Sequence, residues 1–202
     1  DNLFNPFQEL SNEYGVVICV GMPTNTTNGI NISLLIFQPN KERGVYSKQL
    51  LHQDEEPYFL AGYRETMLTI KGKKIALGIC YETLQEDHFV NTIKQGVDIY
   101  LASVAKSNKG IEKASEFFSK MAKAQGLPIM MVNCIGVCDD FVSAGQSAVW
   151  NAKGELVSQL DTTNQGVLIY DFETERSEKE QHTIEKGNAS DLDSLFQIYK
   201  AA

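Results

Sequence analysis

Apolar residues alternate with polar ones in short runs along most of the chain, and three stretches follow a helical period instead. The short runs are bounded by glycine, proline, asparagine or charged residues, which are typical of turns. They predict strands over residues 16–21, 31–38, 44–48, 65–70, 74–80, 97–103, 129–134 and 166–172. The helical spacing predicts helices over 6–14, 84–95 and 111–122, the last ended by Gly126-Leu127-Pro128.

Three turns predict hairpins between neighbouring strands. They lie at residues 39–44, 71–73 and 151–154. Hairpins mixed with strand-helix-strand units indicate an α/β protein with mixed sheets. We expect one domain over residues 1–175 and an acidic tail over 176–202, whose amphipathic segment Leu192 to Tyr199 would dock on a partner subunit.

Composition narrows the classes of partner. The chain has 202 residues with a net charge of -8 and a pI near 4.9, which argues against a nucleic-acid-binding surface. The four cysteines lack the spacing of a zinc site, and no run approaches the ~18 apolar residues of a membrane span. We therefore expect a cytoplasmic protein with reduced thiols, no metal and no cofactor, which acts on a small molecule.

The segment from Lys74 to Glu82 carries the strongest chemical signal. Apolar strand residues end at Ile79, and Cys80 follows at the turn into a helix. A thiol beside a helix N-terminus favours its thiolate form, so Cys80 is a candidate nucleophile. The alternative is a small apolar residue in a buried strand, the commoner role of a free cysteine.

Lys48 and the acidic cluster that follows it could complete such a site. Lys48 ends a strand and could hold positive charge beside a developing oxyanion, or it could be a solvated lysine. Glu55 or Glu56 could hold that lysine charged, or belong to an exposed acidic loop. A papain-like site would instead pair Cys80 with a histidine, but the sequence around the histidines lacks a recognisable orienting motif.

Five segments then occur in a fixed order: Tyr46-Ser47-Lys48-x-x-Leu51, Glu55-x-x-Tyr58-Phe59-x-x-Gly62, Gly78-Ile79-Cys80-Tyr81-Glu82, Val132-Asn133-x-x-Gly136 and Phe141-x-x-x-Gly145-x-Ser147. Each is weak alone, but together they resemble the carbon-nitrogen hydrolase (nitrilase) superfamily. The resemblance spans about residues 10 to 172, most of the chain.

The resemblance implies an αββα four-layer sandwich and a Glu-Lys-Cys mechanism. Cys80 would attack an amide or nitrile carbon, and Lys48 with the backbone N–H of Tyr81 would stabilise the oxyanion. Glu55 would support the lysine; its spacing to Phe59 and Gly62 favours it over Glu56. The strand-end Asn133 with Gly136, and Gly145 with Ser147, would be architectural, and residues 105–110 could contribute an active-site loop.

One member of the implied set is not found. The family's general base is a glutamate that follows a proline at the end of the first strand, and Glu9 and Glu13 lie within a predicted helix instead. We therefore expect the chain to lack the first strand-helix unit and to be nearly inactive by itself.

The sequence is compatible with two functions. The first is a cysteine-dependent hydrolase of linear amides that forms a homodimer or a higher homo-oligomer. The alternative is a catalytically degenerate member that serves as an oligomeric or binding module.

Overall fold

The computed structural model describes residues 2–63, 66–138 and 140–182. After a short 3-10 turn, the helices of this part are α1 (Asn5–Tyr14), α2 (Glu86–Ile93) and α3 (Asn108–Gln125). The strands are β1 (Ile18–Thr26), β2 (Gly29–Phe37), β3 (Gly44–Ser47), β4 (Met67–Ile70), β5 (Lys73–Ile79), β6 (Ile99–Val104), β7 (Ile129–Asn133), β8 (Ile135–Cys138), β9 (Phe141–Ala144), β10 (Ala148–Trp150), β11 (Leu156–Gln159), β12 (Gln165–Tyr170) and β13 (Ser177–His182).

Two sheets carry the fold. One has the antiparallel order β1-β2-β3, and the other has six strands in the order β11-β10-β7-β6-β5-β4. In the larger sheet β5, β6 and β7 are parallel, while the outer pairs are antiparallel hairpins. The two remaining hairpins, β8-β9 and β12-β13, stand as separate two-stranded sheets.

Two apolar cores order these elements into layers. In the first, Phe89 of α2 and Phe118 of α3 pack with Tyr100 and Trp150 of the larger sheet. In the second, side chains of β2 and β3 meet those of β4, β5 and β6, so the two sheets face each other; the buried members are Leu34, Ile36, Tyr46, Leu68, Ile75, Leu77, Ile79 and Ile99. On the far side α1 sets Phe7 against Phe37 of β2, with ring centroids 5.6 Å apart.

A glycine in β5 makes room for the helical layer. A Cβ atom on Gly78 would lie 2.1 Å from the hydroxyl oxygen of Tyr100, on the neighbouring strand β6. Any side chain larger than hydrogen would therefore push Tyr100 out of the fully buried position in which it meets Phe89.

The mixed α/β architecture predicted from the sequence is confirmed, with the layers of the nitrilase-type fold. The three predicted hairpins are present as β2-β3, β4-β5 and β10-β11. None of the helices in the described ranges is long and apolar enough to cross a membrane.

Three features differ from the expectation. Strand β1 continues to Thr26, beyond the predicted strand end at residue 21, since β2 pairs with it as far as Gly29. The hairpin β8-β9 was not predicted. Ser177 to His182, counted above with the acidic tail, form β13 and pair with β12; the segment Leu192 to Tyr199 lies outside the described residues.

Candidate active site

Cys80 lies where β5 ends, and its backbone is strained. It begins a 3-10 turn, Cys80–Leu84, and has φ 47°, in the left-handed region that residues with a side chain rarely adopt. Its half-buried thiol is 3.7 Å from the carbonyl oxygen of Ala105, beyond the end of the adjacent parallel strand β6. Because strained backbone positions cluster at functional sites, this geometry makes Cys80 the candidate for the reactive residue.

A buried carboxylate ties this turn to the strand that carries Lys48. Glu82 has no exposed surface, and its Oε1 accepts hydrogen bonds from the Ile79 N–H at 2.9 Å and the Tyr46 hydroxyl at 2.5 Å. Its Oε2 accepts the N–H groups of Gln49 at 2.6 Å and Leu50 at 3.1 Å. One side chain therefore fixes the residue before Cys80 relative to the residue after Lys48. Glu82 ends one of the five motif segments, but this structural role was not predicted from the sequence.

Lys48 is completely buried and paired. Its Nζ lies 2.6 Å from Glu55 Oε1, whereas Glu56, the neighbouring candidate, is exposed. The backbone of Lys48 is held on both sides, because its N–H donates to the Ile32 carbonyl and its carbonyl accepts from the Gly62 N–H at 2.7 Å. A Cβ atom on Gly62 would lie 2.3 Å from the Ser47 carbonyl oxygen, which explains the glycine at this place in the motif.

Glu55 itself is oriented by its own loop. Its Oε2 accepts the N–H of His52 at 2.7 Å, and its carbonyl accepts the N–H groups of Tyr58 and Phe59. The loop 52–59 thereby brings an acidic side chain back onto the lysine that precedes it. The lysine and the glutamate form the one ion pair of Lys48 found among the described residues.

The histidines whose side chains the structure describes do not contact the thiol. His52 bonds Asp54 at 2.6 Å and sets its ring edge-on against Tyr81, and the His88 ring lies 3.8 Å from Glu82 Oε2. In residues 2–63, 66–138 and 140–182, no hydrogen bond joins either ring to Cys80. A papain-like pair is therefore not formed by His52 or His88, and this same part of the chain has no group of three His, Cys, Asp or Glu placed to hold a metal ion.

A second lysine, Lys106, belongs to the same site and was not identified from the sequence. It follows Ala105 and is 8% exposed. Burial lowers the pKa of its ammonium group below the usual lysine value; the nearby Cys80 thiolate acts in the opposite sense, and the charge of Lys48 lowers this pKa further. From the sequence, only a contribution of the loop 105–110 was expected, because nothing in the local pattern predicts that a lysine there is buried.

Asn133, at the end of β7, holds the backbone beside the site. Its side chain accepts the Lys106 N–H at 2.8 Å and donates to the carbonyls of Lys106 at 3.1 Å and Gly145 at 2.7 Å. Ser147 bonds the Asn133 backbone at 3.0 Å. Through these bonds, Asn133 cross-links three segments of the chain. Gly136 has no such packing role, because a Cβ atom there would meet open space; its positive φ of 92° is what favours glycine.

A cavity of about 520 Å³ opens beside the thiol-bearing turn. Its wall includes Tyr81, the residue after Cys80, together with Leu50, Phe59 and Gln85. The mixture of aromatic, aliphatic and amide groups suits a small polar molecule with an apolar part.

Comparison with known proteins gives three findings. The family model of carbon-nitrogen hydrolase matches residues 1–179. A glutamine-dependent NAD(+) synthetase of Acinetobacter baylyi is 23% identical over 206 residues, covering 96% of this chain and 37% of that protein. One from Aquifex aeolicus is 26% identical over 176 residues, covering 83% and 31%. The chain thus spans about a third of the length of these curated relatives.

A solved structure shares the fold at lower identity. An amidase from Nesterenkonia sp. AN1, which shows the acetamide moiety of fluoroacetamide added covalently at its active-site cysteine, superposes with a TM-score of 0.69. It is 18% identical, and the match covers 78% of this chain and 61% of that one.

Proposed function

The chain belongs to the carbon-nitrogen hydrolase family, and on that premise we propose that it hydrolyses linear amides through a thioester on Cys80. The observation that carries the proposal is the strained, half-buried Cys80 at the end of β5, joined through Glu82 to the strand of the buried Lys48. A position that costs free energy in the backbone is explained by chemistry at its side chain.

The proposed reaction has two stages. The Cys80 sulfur, as the thiolate, attacks the amide carbon, and the ammonium of Lys48 and the N–H of Tyr81 stabilise the oxyanion. The C–N bond then breaks, the nitrogen takes a proton and leaves as ammonia or an amine, and the acyl group remains on sulfur. Water hydrolyses this thioester, which releases the acid and restores the thiol. Glu55 acts by keeping Lys48 charged and in place.

Substrate class follows from chemistry and from the relatives. Glutamine, which the names of the two curated relatives include, carries a linear amide in its side chain, and the Nesterenkonia protein is an amidase. The cavity beside Tyr81 offers room for a short acyl chain. We therefore place small linear amides first among the substrates.

Trapping of the acyl-enzyme with hydroxylamine tests the proposal. The protein is incubated with an amide and hydroxylamine, and the hydroxamate is measured. We expect Cys80→Ala to reduce formation to background, while Cys134→Ala, at an exposed thiol, retains it. Formation that persists in Cys80→Ala would contradict the proposal.

Exposed valines favour the second candidate, a role in assembly. Val132, Val137 and Val142 are 62%, 85% and 64% exposed on β7, β8 and β9. Val137 and Val142 lie opposite each other on the paired strands β8 and β9. Exposed apolar patches of this kind are typical of an interface, and we propose that a second copy of this chain covers them. Sedimentation of Val137→Lys tests this: a homo-oligomer should dissociate, and a sedimentation coefficient equal to that of the wild type would contradict the interface.

Four free cysteines are found in the chain, which supports our proposal of a cytoplasmic protein.

A further inference from the structure

Lys106 is a buried cation whose charge the proposed mechanism leaves unused. Only 8% of its surface is exposed, and no carboxylate within the described ranges pairs with it, in contrast to Lys48, which has Glu55. A buried ammonium group without a carboxylate partner is costly, and a bound anion would offset that cost.

The position of Lys106 is fixed by contacts on both its backbone and its aliphatic chain. Besides the bonds to Asn133, its carbonyl accepts the Ala144 N–H at 2.9 Å and the Ser143 hydroxyl at 3.2 Å. A Cβ atom built on Gly110, in the first turn of α3, would lie 3.1 Å from its Cβ and 3.7 Å from its Cδ, so the stem packs against this turn. These contacts fix the backbone and the aliphatic stem of Lys106.

The start of α3 adds to the positive potential there. The helix is 18 residues long, its N-cap Ser107 makes no side-chain capping bond in the described structure, and its first turn contains no acidic residue. Free N–H groups at a helix N-terminus attract anions. Lys106 and this helix start thus form a cationic corner beside the thiol, because Ala105, the residue before Lys106, contacts Cys80 through its carbonyl oxygen.

We propose that Lys106 binds a carboxylate of the substrate, so that the enzyme prefers amides whose acyl part ends in an acidic group. The inference rests on the proposed amide hydrolysis for its substrate geometry. Lys48 would stabilise the oxyanion at the reacting carbon, and Lys106 would bind the carboxylate at the far end of the acyl chain. Each lysine thereby meets a different negative charge.

Paired substrates with the same four-carbon chain test this assignment. Succinamate and butyramide differ in that a carboxylate replaces a methyl group. We expect the wild-type protein to prefer succinamate in kcat/KM, and Lys106→Met to lower the ratio of the two values by about 30-fold or more, mainly through KM. Lys106→Arg should recover part of the preference. Lys123→Met, at an exposed lysine in the last turn of α3, is the matched control and should keep the wild-type ratio.

A second readout is independent of hydrolysis. Cys80 is alkylated with iodoacetate or iodoacetamide, and modification of its peptide is followed by mass spectrometry. The anionic reagent should be favoured in the wild type relative to Lys106→Met. A ratio that is unchanged by Lys106→Met in both assays would overturn the inference, as would an equal loss for both substrates. If amides are not turned over but the alkylation ratio shifts, the proposed function fails while the anion site stands.

Discussion

Lys48 Nζ lies 2.6 Å from one carboxylate oxygen of Glu55 and 2.5 Å from the other, and this pairing holds an ammonium group that has no exposed surface. The partner carboxylate is 23% exposed and is itself bonded by the His52 N–H. Removal of either charge would leave the other charge buried or partly buried without its counter-charge, which is destabilising.

Glu55→Gln should therefore destabilise the protein. The amide cannot neutralise Lys48, and we expect a loss of about 2–4 kcal/mol in the free energy of unfolding, somewhat below the cost of breaking a fully buried pair. Urea denaturation measures it. Glu56→Gln, at the exposed neighbour, is the control, and equal midpoints for the two variants would contradict the prediction. Hydrolysis should fall in Glu55→Gln as well, because Lys48 loses its orientation.

Tyr46→Phe should weaken the link between strand β3 and the turn that begins at Cys80. It deletes the hydroxyl that donates to Glu82 at 2.5 Å in a fully buried position, at an expected cost of about 1–3 kcal/mol. Tyr58→Phe, at a residue that is 74% exposed, should change stability little. Thermal unfolding compares the two variants, and a Tyr46→Phe protein as stable as wild type would show that this bond contributes no net stability.

Gly78→Ala tests the close approach between β5 and β6. The new methyl group would overlap the Tyr100 hydroxyl, which has no hydrogen-bond partner among the described residues. We expect a loss of about 1–3 kcal/mol, which adding Tyr100→Phe should partly recover. A double-mutant cycle by urea denaturation measures this coupling. Additive effects of the two substitutions would exclude the steric explanation.

The loop before β12 should make stability depend on pH in the acid range. The backbone N–H of Asn164, its side-chain amide and the N–H of Thr163 donate to Asp161 and lower the pKa of that carboxyl from 3.8 to about 2. A carboxyl with a lowered folded-state pKa contributes stability above its unfolded pKa and loses that contribution as the pH falls toward the folded value.

Asp161→Asn should consequently be less stable than wild type at pH 7, and this difference should shrink between about pH 4 and pH 2. Urea midpoints at several pH values across this range measure it. Glu112→Gln, on the exposed face of α3, provides a control for general charge effects. A difference that stays constant down to pH 2 would show that the Asp161 bonds do not depend on its ionisation.

Much of the fold could be predicted because short apolar runs bounded by turn residues mark strands. The strand β5 and its hairpin with β4 are clear from Lys71-Gly72-Lys73 between apolar runs. By contrast, β13 contains Ser177 to His182, which are polar throughout, and only its pairing with β12 makes it a strand. No local pattern could indicate this, since the stabilising partner lies across a turn.

The site was predictable to a different extent. Cys80, Lys48 and Glu55 could be singled out by motif order, and the structure shows the lysine paired with that glutamate. Glu82 and Lys106 were missed because charged residues are usually exposed, and burial of a charge depends on tertiary contacts that a single sequence does not reveal.

The positive φ of Cys80 has a consequence for protein engineering. Glycine adopts this conformation without a steric penalty, whereas alanine and serine do not. Cys80→Gly should therefore have a higher midpoint of thermal unfolding than Cys80→Ala. Both variants lack the thiol, and glycine in place of alanine normally lowers the free energy of unfolding. Under the proposed hydrolysis, the backbone strain at Cys80 is a stability cost that the enzyme carries for the sake of a correctly placed sulfur.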